Sequence, residues 1–100
     1  MEINEAIKLA VQPERIYLFG SYAYGVPNKD SDLDFYIIMS DTSIKPLEAI
    51  KQARYALISL KRRLPVDILA DYQSRFNMRS KLNTLERKVV NEGVLLYERT

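Results

Sequence analysis

The sequence predicts an α+β fold, a small mixed β-sheet of three to four strands with helices packed on it. Short runs rich in β-branched and aromatic residues, at 15–19, 34–39, 66–70 and 94–97, have the length and composition of strands. The segments between them carry apolar residues at helical rather than alternating spacing. Prolines and glycines punctuate the joins, with Pro13, Gly20, Pro46, Pro65 and Gly93 each standing at an expected boundary.

Ile3, Ile7, Ala10 and Val11 recur at helical spacing, with Asn4 as the cap and Glu2 and Glu5 near the positive end of the helix dipole. Pro13 limits that helix. The run from Arg15 to Phe19 is almost continuously apolar, which predicts a strand buried on both faces. Gly20 ends it, and a short helical turn is expected over 21–24. Asp34 to Met39 forms the second strand. Pro46 suits the first turn of a following helix. Its apolar stripe is Leu47, Ile50, Ala53, Leu57, Leu60 and Leu64, with Glu48, Lys51, Gln52, Arg54, Lys61 and Arg62 on the other side.

Pro65 stops this helix, because its ring disfavours helical geometry in the residue before it. Val66 to Ala70 reads as a third strand in which Asp67, set between Val66 and Ile68, is costly to bury without compensation. The pattern weakens over 71–83, where basic and apolar residues mix as Arg75, Phe76, Met78, Arg79 and Lys81; a loop or a short irregular helix with solvated charges is expected. A helix then runs from Thr84 to Asn91, capped by Asn83 or Thr84, with Leu85, Val89 and Val90 inward. Gly93 ends it, and Val94 to Tyr97 closes the chain as a strand.

The stretch around which these elements are arranged is Gly20 to Asp34. Gly, Asn, Asp, Ser and Pro are ordinary turn residues, and an Asp-x-Asp alone is most often a solvated strand end. The combination is more particular: Gly20-Ser21, ten residues, then Asp32-x-Asp34, entered from one strand and left by another. Alternation along an extended chain puts Asp32 and Asp34 on one face, roughly 6.6 Å apart, where both reach the same hard cation. If the third strand lies beside the second, Asp67 joins them. Backbone N–H groups at the start of the turn suit an anion such as a triphosphate.

Gly20, Ser21, Asp32 and Asp34 meet in full the Gly-Ser, ten residues, Asp-x-Asp pattern, and by it the chain resembles the minimal nucleotidyltransferases (MNT domains) of the DNA polymerase β superfamily, found beside HEPN proteins. Asp67 falls where that family carries its third acid on a later strand, and the ending Glu92 to Glu98 is similar to the way these domains finish. The resemblance implies a polymerase β-type nucleotidyltransferase fold over residues 1–100 as a single domain. It implies Asp32, Asp34 and Asp67 as catalytic metal ligands for two Mg²⁺ ions, with Gly20 and Ser21 holding the phosphates of ATP. It also implies an MntA-like antitoxin that transfers AMP to a tyrosine hydroxyl of a HEPN toxin, Asp67 helping to deprotonate the acceptor. One departure stands out: many relatives have arginine where this chain has Tyr24, and the loss of that cation is expected either to weaken triphosphate binding or to shift its task to Lys29 or another base.

Composition narrows the chemistry independently. The 100 residues include no cysteine and no histidine, which removes disulfides, thiolate zinc sites, cysteine nucleophiles and histidine bases together. A metal must then be held by oxygen, which selects Mg²⁺, Mn²⁺ or Ca²⁺. The formal charge of +2 announces no nucleic-acid partner. No apolar run approaches the roughly 18 residues of a membrane span, so the expected location is the cytoplasm. An acceptor-binding surface is expected from a protein partner or a second copy of the chain. Two other readings compete: an antitoxin or assembly module that acts by binding alone, favoured by Tyr24, and a small-molecule nucleotidyltransferase, disfavoured because such enzymes carry extra elements for their substrate.

Overall fold

A computed structural model of the chain describes residues 2–28, 31–60 and 65–99. The elements follow the order α1 (Glu2–Val11), β1 (Arg15–Phe19), α2 (Ser21–Tyr24), β2 (Leu33–Met39), α3 (Pro46–Leu57), β3 (Val66–Tyr72), α4 (Gln73–Arg79), α5 (Leu85–Glu92) and β4 (Val94–Glu98). The strands form one four-stranded sheet in the order β3-β2-β1-β4. β1 pairs antiparallel with both β2 and β4, whereas β2 and β3 run parallel, joined by the α3 crossover. The predicted mixed sheet with packed helices is therefore the one observed. No helix among the described residues is long and apolar enough to cross a membrane.

Both faces of the central strands are covered, which is why β1 and β2 read as continuous apolar runs. On one face Ile16, Leu18, Phe35, Ile37 and Ile68 meet Ile3 and Ile7 of α1 and Ala49, Ala53 and Leu57 of α3. On the other, Tyr17, Phe19, Tyr36 and Ile38 meet Phe76 of α4 and Val89 of α5. The aromatic contacts there are directional, the rings of Tyr36 and Phe76 meeting edge to face at 4.9 Å between centroids.

Four expectations about helices require correction. Asn4 lies inside α1 rather than capping it, and its Oδ1 is buried without a hydrogen-bond partner. α3 ends at Leu57; Ala53 and Leu57 are inward as expected and Ile50 and Leu60 are partly buried against the core, but Ala49 is buried where Leu47, 65 % exposed, was expected. The small alanines are inside because α1 packs directly against this helix. Leu64, Lys61 and Arg62 lie outside the described residues. The segment 71–83 is better ordered than its pattern suggests: β3 continues to Tyr72 and α4 is a regular helix. In α5, Leu85 and Val90 are exposed and Glu86 is buried in their place.

Glu86 is tolerated because its partners come from two other elements. Tyr36 Oη donates to Glu86 Oε2 at 2.8 Å, and Arg79 Nε donates to Oε1 at 3.0 Å. Burial alone raises this carboxyl, but the hydrogen bond from Tyr36 and the Arg79 guanidinium outweigh it and hold the group below its ordinary value. Burial in turn pushes the Tyr36 phenol far up, and the adjacent Glu86 carboxylate adds to the shift. The network ties α5 and α4 to the centre of the sheet. Thr84 caps α5 as expected, its Oγ1 accepting from the Arg87 N–H at 3.3 Å.

Removing the phenol leaves a buried carboxylate short of a donor. Tyr36→Phe is expected to cost about 1–3 kcal/mol, each kcal/mol being roughly 4–8 °C in melting temperature for a domain of this size. Because the folded Glu86 titrates below its ordinary 4.5, its contribution is present above that pH and is lost as pH falls through the depressed value. Glu86→Gln should therefore flatten the acid limb of the stability profile, measured by thermal melting between neutral pH and pH 3. An unchanged limb contradicts this role.

Candidate functional site

The site is assembled where β1 ends and β2 begins. Asp34 pairs across from Phe19 in the antiparallel register, so it lies next to Gly20. Gly20 has φ 77, a left-handed conformation that disfavours any side chain, and a β-carbon placed on it would overlap the Asp34 carboxylate. The glycine is thus required both for the turn into α2 and for the close approach of an acid to the backbone. Ser21 follows directly as the first residue of α2.

Parallel pairing then places Asp34 directly beside Asp67 on β3. Asp32 precedes β2, and the neighbouring Leu33 N–H reaches Pro65 O at 3.0 Å, which keeps the approach to the two strands in step. Asp32 and Asp34 are half-buried and Asp67 is exposed. Strand alternation puts Asp34 and Asp67 on the face that also carries Tyr36, at the end left open by α4 and α5.

The three carboxyls interact electrostatically. A hydrogen bond to Asp67 holds the Asp32 carboxyl above its usual range, with desolvation and the Asp67 charge adding to it. Desolvation raises Asp34 first, and the charges of Asp67 and Asp32 raise it further. A cation brought among these groups relieves their mutual repulsion. Among the described residues no three acidic side chains already close into a metal cage. That openness fits Mg²⁺, which keeps several waters and is typically bound by one or two carboxylates together with substrate phosphates. The donor set, all oxygen, fits the same ion.

Two basic residues adjoin this end in a way that their sequence positions do not show. Lys88 of α5 sets its ammonium 4.7 Å from the centre of the Tyr24 ring. Arg54 Nη1 donates to Val66 O at 3.4 Å, one residue before Asp67. Both sit on helix faces that read as solvated, and only the folded chain reveals what they adjoin. Lys29, the base expected to replace the missing arginine, lies outside the described residues. A separate hollow of about 450 Å³, lined among others by Gln12, Glu14, Ser40, Thr42 and Arg99, opens at the opposite end of β1 and β2 and touches none of the acids.

The family model for polymerase beta nucleotidyltransferases matches residues 1–100 of this chain. Among solved structures, a candidate nucleotidyltransferase from Sulfolobus solfataricus superposes with a TM-score of 0.64 at 19 % identity, over 98 % of this chain and 76 % of that one. At that identity the likeness speaks for the fold. No protein of curated function matches the chain in sequence.

Gly20→Ala is expected to lower stability by roughly 1–3 kcal/mol through strain at positive φ, with the overlap on Asp34 adding to it. In the Gly20→Ala, Asp34→Ala double variant the overlap is gone, so the loss should be smaller than the sum of the single losses. Strict additivity in thermal melts contradicts the contact. The acids make an opposite prediction. Since Asp32 and Asp34 titrate above the ordinary 3.8, the stability present below that pH is lost as pH rises through their raised values. Asp34→Asn should therefore raise the melting temperature of the metal-free protein at pH 7 and leave it unchanged near pH 3; a fall at pH 7 contradicts the repulsion.

Proposed function

The chain belongs to the polymerase beta nucleotidyltransferase family, and from that premise we propose that it transfers AMP from ATP to a protein hydroxyl in a Mg²⁺-dependent reaction. The observation that carries the proposal is the register of β2 and β3, which sets Asp34 directly beside Asp67, with Asp32 two residues before Asp34. Acids drawn from two neighbouring strands, next to a glycine turn, are what such a transfer requires.

In this reading Asp32, Asp34 and Asp67 would hold two divalent ions. When bound, these would offset the negative charge that builds on the phosphoryl oxygens. Gly20 and Ser21 hold the β and γ phosphates through the backbone N–H groups at the start of α2. The acceptor hydroxyl oxygen bonds to the α-phosphorus, the bond to the bridging oxygen breaks, and pyrophosphate leaves. Asp67, the most exposed of the acids, takes the hydroxyl proton. In-line positioning of the two oxygens supplies much of the remaining rate.

The acceptor proposed is a tyrosine of a HEPN toxin, which makes the chain an MNT antitoxin acting in the cytoplasm by AMPylation. The support is the family signature at 20–34 together with the small sheet, whose faces are covered by α1, α3, α4 and α5. A second reading, neutralisation by binding alone, is favoured by Tyr24 where relatives carry arginine.

The test is transfer of label from α-³²P-ATP to a HEPN protein encoded beside this chain. Each of Asp32→Ala and Asp34→Ala is expected to reduce labelling on the order of 100-fold or more, the loss of several kcal/mol of transition-state stabilisation, and chelation of Mg²⁺ should abolish it. Label that survives both substitutions excludes the site. Full neutralisation of the toxin by the Asp32→Asn, Asp34→Asn double variant instead selects the binding-only reading.

A further inference from the structure

The part of the turn that adjoins the acids brings no positive charge of its own: from Gly20 to Asn28 the sequence contains no lysine or arginine, and Lys29 lies outside the described residues. A nucleoside triphosphate entering here would meet three aspartates on one side and the uncharged α2 turn on the other. The fold supplies a cation from elsewhere. Lys88, on the exposed face of α5, places its ammonium 4.7 Å from the centre of the Tyr24 ring, within the range of a cation–π contact.

This contact is more than a chance meeting of surface side chains, because both partners are anchored. Tyr24 packs against the aromatic cluster of Tyr17, Phe19, Tyr36 and Phe76. Lys88 is adjacent to Val89, which is fully buried in the same cluster. The end of α5 is in turn fixed to β1: a β-carbon on Gly93 would come within 2.5 Å of Val89 O and 2.9 Å of Leu18 O, so the helix closes onto the strand two residues before Gly20. Three other bases on the helices and strands of this face already have partners, Arg79 with Glu86, Arg75 with Asp71, and Arg15 with Asn77.

We propose that Lys88, held on the Tyr24 ring, is a phosphate-binding cation of the nucleotide site, delivered from α5. The proposal rests on the nucleotidyltransferase reading and names a binding residue within it. A lysine serves here because an ammonium on a flexible stem can leave the ring for a phosphate oxygen while remaining close to both. The ring then acts as a resting place that keeps the charge over the turn before nucleotide arrives.

The test is calorimetric binding of ATP with Mg²⁺ to the full chain. Lys88→Ala is expected to weaken ATP binding about tenfold and Lys88→Arg to keep most of the affinity. Tyr24→Phe, which keeps the ring, should bind as the parent does, and Tyr24→Leu should bind a few-fold more weakly. In the Lys88→Ala background, Tyr24→Arg should restore affinity by returning a charge to the same place. Binding of AMP should be far less sensitive to Lys88→Ala than binding of ATP, which separates contact with the outer phosphates from a structural effect. Because Lys88 is exposed, circular dichroism melts of Lys88→Ala should match the parent. Unchanged ATP affinity in Lys88→Ala, with loss in Asp32→Asn, overturns the role of Lys88 and leaves the nucleotidyltransferase reading standing. Absence of any ATP binding by the parent chain overturns both.

Discussion

The parallel pairing of β2 with β3 is the constraint on which the rest depends. A parallel neighbour cannot be reached by a tight turn, so the chain must leave the sheet, cross one face as α3 and return. The crossover covers the core of Phe35, Ile37 and Ile68. It also fixes the register that aligns Asp34 with Asp67. A slip of one residue would turn Asp67 toward α3 and into apolar surroundings, at a cost that protects the alignment. Stability of the core and convergence of the acids are therefore set by the same pairing.

Electrostatic tension is concentrated at one end of the sheet and relieved at another. Asp32 and Asp34 are held close to Asp67, and their carboxyls are raised, Asp32 first by its interaction with Asp67 and Asp34 first by desolvation, with the neighbouring charges adding to both. Farther along the same face Glu86 is buried, yet it is satisfied by Tyr36 and Arg79 and stays ionised. The contrast separates two uses of a carboxylate. One is locked by protein donors and holds helices to the sheet; the others are left wanting a partner, which is the condition for recruiting one.

The acids and the glycine turn were legible because their information is local. The spacing of Gly20, Ser21, Asp32 and Asp34 lies within one connection, and period-two alternation carries the argument to Asp67 once the strands are adjacent. The helix faces were less legible. Leu47 reads as core and Ala49 as filler, but the close approach of α1 selects the smaller residue. Leu85 reads as inward and Glu86 as outward, but Tyr36 arrives from 50 residues away to satisfy the carboxylate. No window along the chain contains that partner. The same holds for Lys88 and Tyr24, whose meeting depends on α5 folding back against β1.

The central claim is that Asp32, Asp34 and Asp67 form one shared site for divalent cations. The most direct measurement is the broadening of backbone amide resonances by substoichiometric Mn²⁺. The account predicts that signals from residues 20–21, 32–34 and 66–68 broaden first and together, and that Asp34→Asn removes the effect at all three segments. Broadening confined to one segment, or strongest at the far end of the strands near Glu14 and Asp41, would contradict a shared site.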